Sequence, residues 1–235
     1  MSVGCTSDQQ MHGAIPLKSE THNLMEFAYQ HILSLIFSKN LMPGDKISEA
    51  KISKSLNISR TPVREAIRRL SNEGLVYIFP NRFAQMAQYD FDKIKEICAL
   101  RIVYDQLAVK LALLFGSQSE FSELLKIANQ CLAASQSECN AKEYSLLDCD
   151  FHMELAKISK NELLMRFQNE LYLRVQYLIF HYDFHTYNTQ LQAQQHIEIA
   201  ECLVKQEKDR ALKLVEQHLL NFYSLTDYFP EGFFK

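Results

Sequence analysis

The chain has 235 residues, 47% of them apolar, with six cysteines and a formal net charge of −3. That length allows one large domain or two modest ones around a packed core, and no run approaches the ~20 apolar residues of a membrane span. The first nineteen residues lack the basic start and apolar stretch of an export signal. No cysteine pair has C-x-x-C spacing, so packed, reduced thiols are expected rather than a disulfide framework. A soluble cytoplasmic protein with no membrane partner follows as the expectation. The charge is unevenly placed. Residues 1–89 carry ten Lys/Arg against seven Asp/Glu, and the remainder fifteen against twenty-one. Between Lys51 and Arg82 there are seven cations and two anions, the local excess that a phosphate-binding surface requires.

In chain order, residues 1–19 show no periodicity and read as a flexible leader. Met25, Ala28, Tyr29, Ile32, Leu35 and Ile36 follow helical spacing and predict a first helix over 22–38. Pro43-Gly44 is a turn signal, and Ser48 with Glu49 suits the start of a short helix. Ser59 stands where an N-cap belongs, with Pro62 in the first turn. Val63, Ala66, Ile67 and Leu70 give the following helix a buried face, which leaves Arg60, Thr61, Arg64 and Arg68 free to project. Gly74 supplies the left-handed residue that ends it. Helix, turn and a second helix with a cationic tip form an arrangement that enters the major groove of duplex DNA. Arginines on a surface helix also occur simply as a solvated face, so the order of signals is more specific than the charge. Leu75–Phe79 and Phe83–Ala87 read as two strands joined at Pro80-Asn81, a wing with Arg82 beside its tip.

From Asp90 to Pro230 there is no proline, and apolar residues recur at three and four. Six helices are expected, at 90–115, 118–136, 140–159, 161–184, 188–205 and 208–228. Their short connections imply an antiparallel bundle. The fold class is therefore mainly α, an N-terminal winged helix–turn–helix over 20–88 followed by an all-α body over 89–235.

Residues Pro43-Gly44-Asp45, Ser59-Arg60-Thr61-Pro62-Val63-Arg64-Glu65-Ala66, Arg69-Leu70 and Glu73-Gly74-Leu75 closely resemble the winged helix–turn–helix of the GntR family of bacterial transcription regulators. Arg101-Ile-Val-Tyr-Asp105, Asp148-Cys-Asp-Phe-His152, Lys160-Asn161-Glu-Leu-Leu, Gln195-His196-Ile and Gln217-His218-Leu resemble the FCD ligand-binding domain of its FadR-type branch. Six helices rather than seven place it with the smaller subgroup similar to vanillate regulators. The resemblance implies a homodimer on double-stranded operator DNA with inverted half-sites. It also implies contacts from Ser59, Arg60, Thr61, Arg64 and Arg68, with Lys51, Asn81 and Arg82 in support. At the wing tip Asn81 replaces the usual glycine, and Ala50 stands where some relatives have an arginine.

Asp148 and His152 are four apart and share a helix face; His196 and His218 stand among apolar residues on the last two helices. Three imidazoles and a carboxylate suit a divalent transition metal such as Zn or Ni, although each residue alone equally suits a satisfied core position. The resemblance implies metal, because many FCD domains bind it through an Asp, a His four residues later and two further histidines. His181 and His185, also four apart, are read as cavity lining or surface. Arg101 is the candidate for holding a small organic acid effector, with a salt bridge to Asp105 as the alternative. Arg174 and Tyr172 are weaker candidates. Two rival functions stand beside the metabolite-responsive regulator, which is expected to repress: a regulator that senses the metal itself, and a metal-dependent hydrolase. The hydrolase lacks an obvious base, since Glu154 and Glu198 lie two residues from a ligand histidine.

Overall fold

The computed structural model describes residues 17–80, 83–137, 141–182, 188–230 and 232–234. The calls on Asn81, Arg82, His185 and most of the leader lie outside these residues. Helix α1 runs Leu17–Phe37, so the helix begins inside the stretch read as leader. A two-residue strand β1 (Lys46–Ile47) follows, then α2 (Glu49–Leu56) and α3 (Arg60–Asn72). Ser48 caps α2 by accepting from the Lys51 N–H. Ser59 occupies the N-cap of α3 in extended conformation but makes no side-chain cap bond. Its hydroxyl is left at the surface. Ile32 and Ile36 of α1 pack with Val63, Ala66, Ile67 and Leu70 of α3 in one buried cluster. Truncating a buried Ile or Leu here costs about 2–5 kcal/mol.

The wing is β2 (Val76–Phe79) and β3 (Phe83–Met86), paired antiparallel with Tyr77 opposite Gln85. Sequence periodicity misses β1, because two residues carry no alternation to read; it pairs with β3 and completes a sheet of order β1-β3-β2. Gly74 ends α3 at φ +84°, and the Leu75 N–H returns to the Leu70 carbonyl at 2.9 Å. That is the closing bond of a left-handed C-terminal motif.

The body contains α4 (Phe91–Phe115), α5 (Gln118–Gln136), α6 (Ala141–Ile158), α7 (Glu162–His181), α8 (Thr189–Val204) and α9 (Lys208–Tyr223). Side-chain caps at Asp90, Ser117, Asn161 and Asn188 start four of them. The last helix ends earlier than its apolar pattern suggests, at Ser224 in left-handed conformation. Helix α4 packs on α6, α7 and α9, while α5 packs on α6 and α8. At Gly116 a Cβ would stand 2.7 Å from the Ile158 side chain and 2.8 Å from Phe121, so the α4–α5 turn is glycine for want of space. No described helix is long and apolar enough to cross a membrane.

Candidate nucleic-acid interface and metal centre

The tip of α3 stands at the surface: Ser59, Arg60, Thr61, Arg64 and Arg68 are all exposed, as is Lys51 on α2. Not every cation projects freely, contrary to the sequence expectation. Arg64 makes a two-pronged contact with Glu49, its Nη2 2.9 Å from Oε2 and its Nε 3.2 Å from Oε1. Arg68 donates to Glu65 at 2.7 Å. Both pairs are solvent-exposed, the class of ion pair that holds weakly, and phosphate or a guanine edge can compete for either arginine. Arg69 belongs to the scaffold instead. It bridges Glu26 of α1 and Glu73 beyond α3 and lies 3.8 Å from the Tyr29 ring centre.

The second cluster lies in the body. Asp148 and His152 come from α6, His196 from α8 and His218 from α9, all buried, and one ligand atom from each falls within 4.8 Å of the others. His218 Nε2 is 3.1 Å from His196 Nε2 and 3.3 Å from His152 Nε2. Both Asp148 oxygens lack a hydrogen-bond partner among the described residues, although His196 Nε2 is 3.5 Å from Oδ1. Burial holds His196 and His218 well below the usual histidine pKa, and the neighbouring imidazoles and Arg101 add to the shift. Three imidazole nitrogens and an unsatisfied carboxylate converging on one point fit a divalent transition ion.

Asp105 is not the partner of Arg101 but of this cluster. Its Oδ2 is 2.8 Å from His152 Nδ1, and its Oδ1 accepts from Gln168 Nε2. Gln195 Oε1 lies 3.3 Å from His218 Nδ1. The Asp105–His152 contact is close but lacks hydrogen-bond geometry, whereas Gln195 Oε1 can accept from His218 Nδ1 and leave that ring's Nε2 free to ligate. Nothing in the sequence marks Asp105, Gln168 and Gln195 beyond helical spacing, since their partners lie on other helices. Phe151 stacks on His196 at 4.1 Å between ring centres. Glu154, the hydrolase reading's nearest base, pairs instead with Lys157.

Arg101 is 1% exposed. It donates to Tyr172 OH at 2.8 Å and to Tyr223 OH at 3.1 Å, while its Nε has no partner among the described residues. Burial penalises this cation, yet the tyrosines, Asp148 and Asp105 around it more than offset that and keep its pKa above the ordinary value. The same burial pushes Tyr172 and Tyr223 upward, so both phenols stay neutral. The Tyr172 ring lies 5.6 Å from that of His152, which places the guanidinium beside the histidine cluster. Arg174 is elsewhere. It donates from Nε to the Glu73 carbonyl at 2.8 Å, at the junction with the winged domain, because its position on α7 turns it toward the end of α3. His181 is partly buried against Tyr177 at 4.6 Å between ring centres, with its pKa lowered by burial.

A winged helix–turn–helix with a basic tip, joined to a helical bundle with a buried polar cluster, defines a DNA-binding regulator with a C-terminal ligand-binding domain. Residues 24–82 match the gntR family of bacterial regulatory proteins and residues 96–221 match the FCD domain. The chain belongs to the GntR family of transcription regulators, in the branch that carries an FCD domain. It is 27% identical over 182 residues to the Nta operon transcriptional regulator of Aminobacter aminovorans, covering 77% of this chain and 84% of that protein. It is 24% identical over 217 residues to the HTH-type transcriptional repressor RspR of Escherichia coli K12, covering 91% and 90%. These relatives are named as regulators, not enzymes. The fold is shared with a putative GntR regulator from Rhodococcus sp. RHA1, at TM-score 0.69 and 20% identity over 91% of this chain and all of that one. It is shared too with McbR/YncC of E. coli, at TM-score 0.64 and 18% identity over 88% and 99%.

Proposed function

We propose that the protein is a cytoplasmic, homodimeric repressor whose hold on an operator with inverted half-sites is controlled by a small organic acid bound beside a divalent metal. The winged domain over 20–88 meets DNA, and the body over 89–235 binds the effector and dimerises. The observation that carries the reading is the exposed cationic tip of α3, with Arg60 and Arg64 set to reach base edges and Ser59, Thr61, Arg68 and Lys51 to reach phosphates. Asp148, His152, His196 and His218 would hold the ion, Zn or Ni by donor type. Such an ion supplies a Lewis-acidic site for an acceptor oxygen. Arg101 offers the acid its guanidinium.

Repression rather than activation draws support from the printed name of RspR, at 24% identity. Dimerisation draws support from α4, where Leu100, Val103, Leu107 and Leu114 stand exposed. They recur at three, four and seven along one face. The test is operator binding by the Arg60→Ala/Arg64→Ala protein across a salt series. The reading expects both affinity and salt slope to fall, and unchanged values for both overturn it. The metal-sensing alternative is favoured instead if operator release tracks free Zn or Ni with no organic ligand present.

A further inference from the structure

A further set of polar groups lies away from the histidines. Where the start of α8 meets the end of α9 there is a cavity of about 380 Å³, within the range of small-molecule sites. Gln192 on its wall stands four residues before His196, and Asn221 three residues after His218, yet neither the four metal ligands nor Arg101 line it. Gln192 is 4% exposed, and its Oε1 is buried without a partner among the described residues. A buried amide oxygen left unmet costs free energy, so it marks where a donor belongs. The neighbouring amides have the opposite need. Asn188 Oδ1 accepts from the Leu191 N–H at 3.0 Å, and Asn221 Oδ1 accepts from the Thr226 hydroxyl at 3.3 Å. Those bonds occupy both oxygens within the fold and leave the two NH2 groups to donate. Asp227 brings the one charged side chain among the residues that line the cavity.

These side chains sort ligands by chemistry. An inorganic or carboxylate anion has no hydrogen for Gln192 Oε1 and is opposed by Asp227. An ammonium suits both of those groups but has no lone pair for the Asn188 and Asn221 NH2 groups. A hydroxyl both donates and accepts, so several on one small molecule meet all four, whichever way round the Gln192 amide sits. We infer that this cavity is a binding site for a small neutral polyol, a monosaccharide or sugar alcohol, held by Gln192, Asn188, Asn221 and Asp227. Leu191, exposed on the same wall, meets the carbon face of such a molecule. The site adds to the metal-and-acid reading above and does not rest on it.

The test follows the side-chain amide signals of Gln192, Asn188 and Asn221 by NMR of full-length, isotope-labelled protein. The neutral probes are glycerol, sorbitol, myo-inositol and glucose; putrescine and sulfate are the charged ones. At least one neutral probe is expected to shift all three signals saturably, and to bind about tenfold tighter than putrescine or sulfate, or more. Gln192→Leu should weaken that binding about tenfold, with Asn188 and Asn221 still reporting it. Asp227→Asn, a change at an exposed position, should weaken it by a similar factor through loss of a charge-assisted bond. The inference is overturned if no neutral probe gives a saturable shift, or if putrescine or sulfate binds as tightly as the best of them. Unchanged affinity in Gln192→Leu overturns it too, and if that protein does not fold, unchanged affinity in Asp227→Asn decides in the same way.

Discussion

Arg64 shows how one side chain can serve two states. In the free protein its fork meets Glu49 across the α2–α3 turn. In the operator complex proposed above the same fork would meet a base edge, and the Glu49 carboxylate would compete for it. Arg64→Ala is expected to weaken operator binding about ten- to hundredfold. Glu49→Gln is expected to tighten it by about two- to fivefold. Fluorescence anisotropy with an operator duplex measures both, and a weaker Glu49→Gln protein would contradict the competition. In the body, His196 and His218 are held neutral by burial, so the unfolded chain binds protons that the folded chain refuses. The stability of metal-free protein is then complete above the ordinary histidine value of about 6.5 and declines as the pH falls below it. Thermal melts of chelator-treated protein between neutral and acid pH should show that decline, shallower in His218→Gln.

At the scale of elements, α7 is the piece that touches both halves. Gln168 bonds Asp105 and Tyr172 bonds Arg101 on its inner face. Two and five residues past Tyr172, Arg174 donates to the Glu73 carbonyl and Tyr177 to the Ala87 carbonyl at 2.6 Å. The Tyr89 N–H donates to Tyr182 just beyond its end, and Phe180 meets Phe37 of α1 edge-on. If the proposed effector displaces Tyr172, α7 would carry that displacement to the C-terminal end of α3 through Arg174. Gly74 makes the seat possible: a Cβ there would stand 2.6 Å from Arg174 Nε, besides the strain of its positive φ. Arg174→Ala is expected to speed hydrogen exchange of the amides around residues 70–76 about fivefold, the loss of one net hydrogen bond. Unchanged exchange there would remove α7 from the route between the sites.

For the whole molecule, the surface itself indicates a partner. Leu100, Val103, Leu107 and Leu114 line α4 over about 21 Å at the helical rise, with Lys110 among them. An exposed apolar row of that length on a helix otherwise packed into a bundle is where the two copies of the proposed dimer would meet. Two-fold pairing through it would present two α3 tips to one duplex. Val103→Asp/Leu107→Asp is expected to give monomers by sedimentation velocity, with operator affinity reduced at least about a hundredfold because each copy then reads one half-site. Dimers that persist in this variant would move the interface elsewhere.

Local chemistry was enough to read most elements from the sequence, because a cap, an apolar repeat at three and four, and a left-handed glycine each act within one turn. That is why the helix carrying Arg60 to Leu70, the wing and the six body helices were legible. Asp148 with His152 was legible too, being one turn apart on one helix. What the sequence could not reach were contacts made across helices. Asp105 looked like a mate for Arg101 four residues away, yet both point inward at an angle that lets each find a different neighbour. Arg174 looked like pocket lining, and only the docking of α7 on the winged domain sends it to Glu73. Short-range spacing determined which groups exist on which face; packing decided which of those faces meet, because partners distant in the chain leave no periodic trace in it.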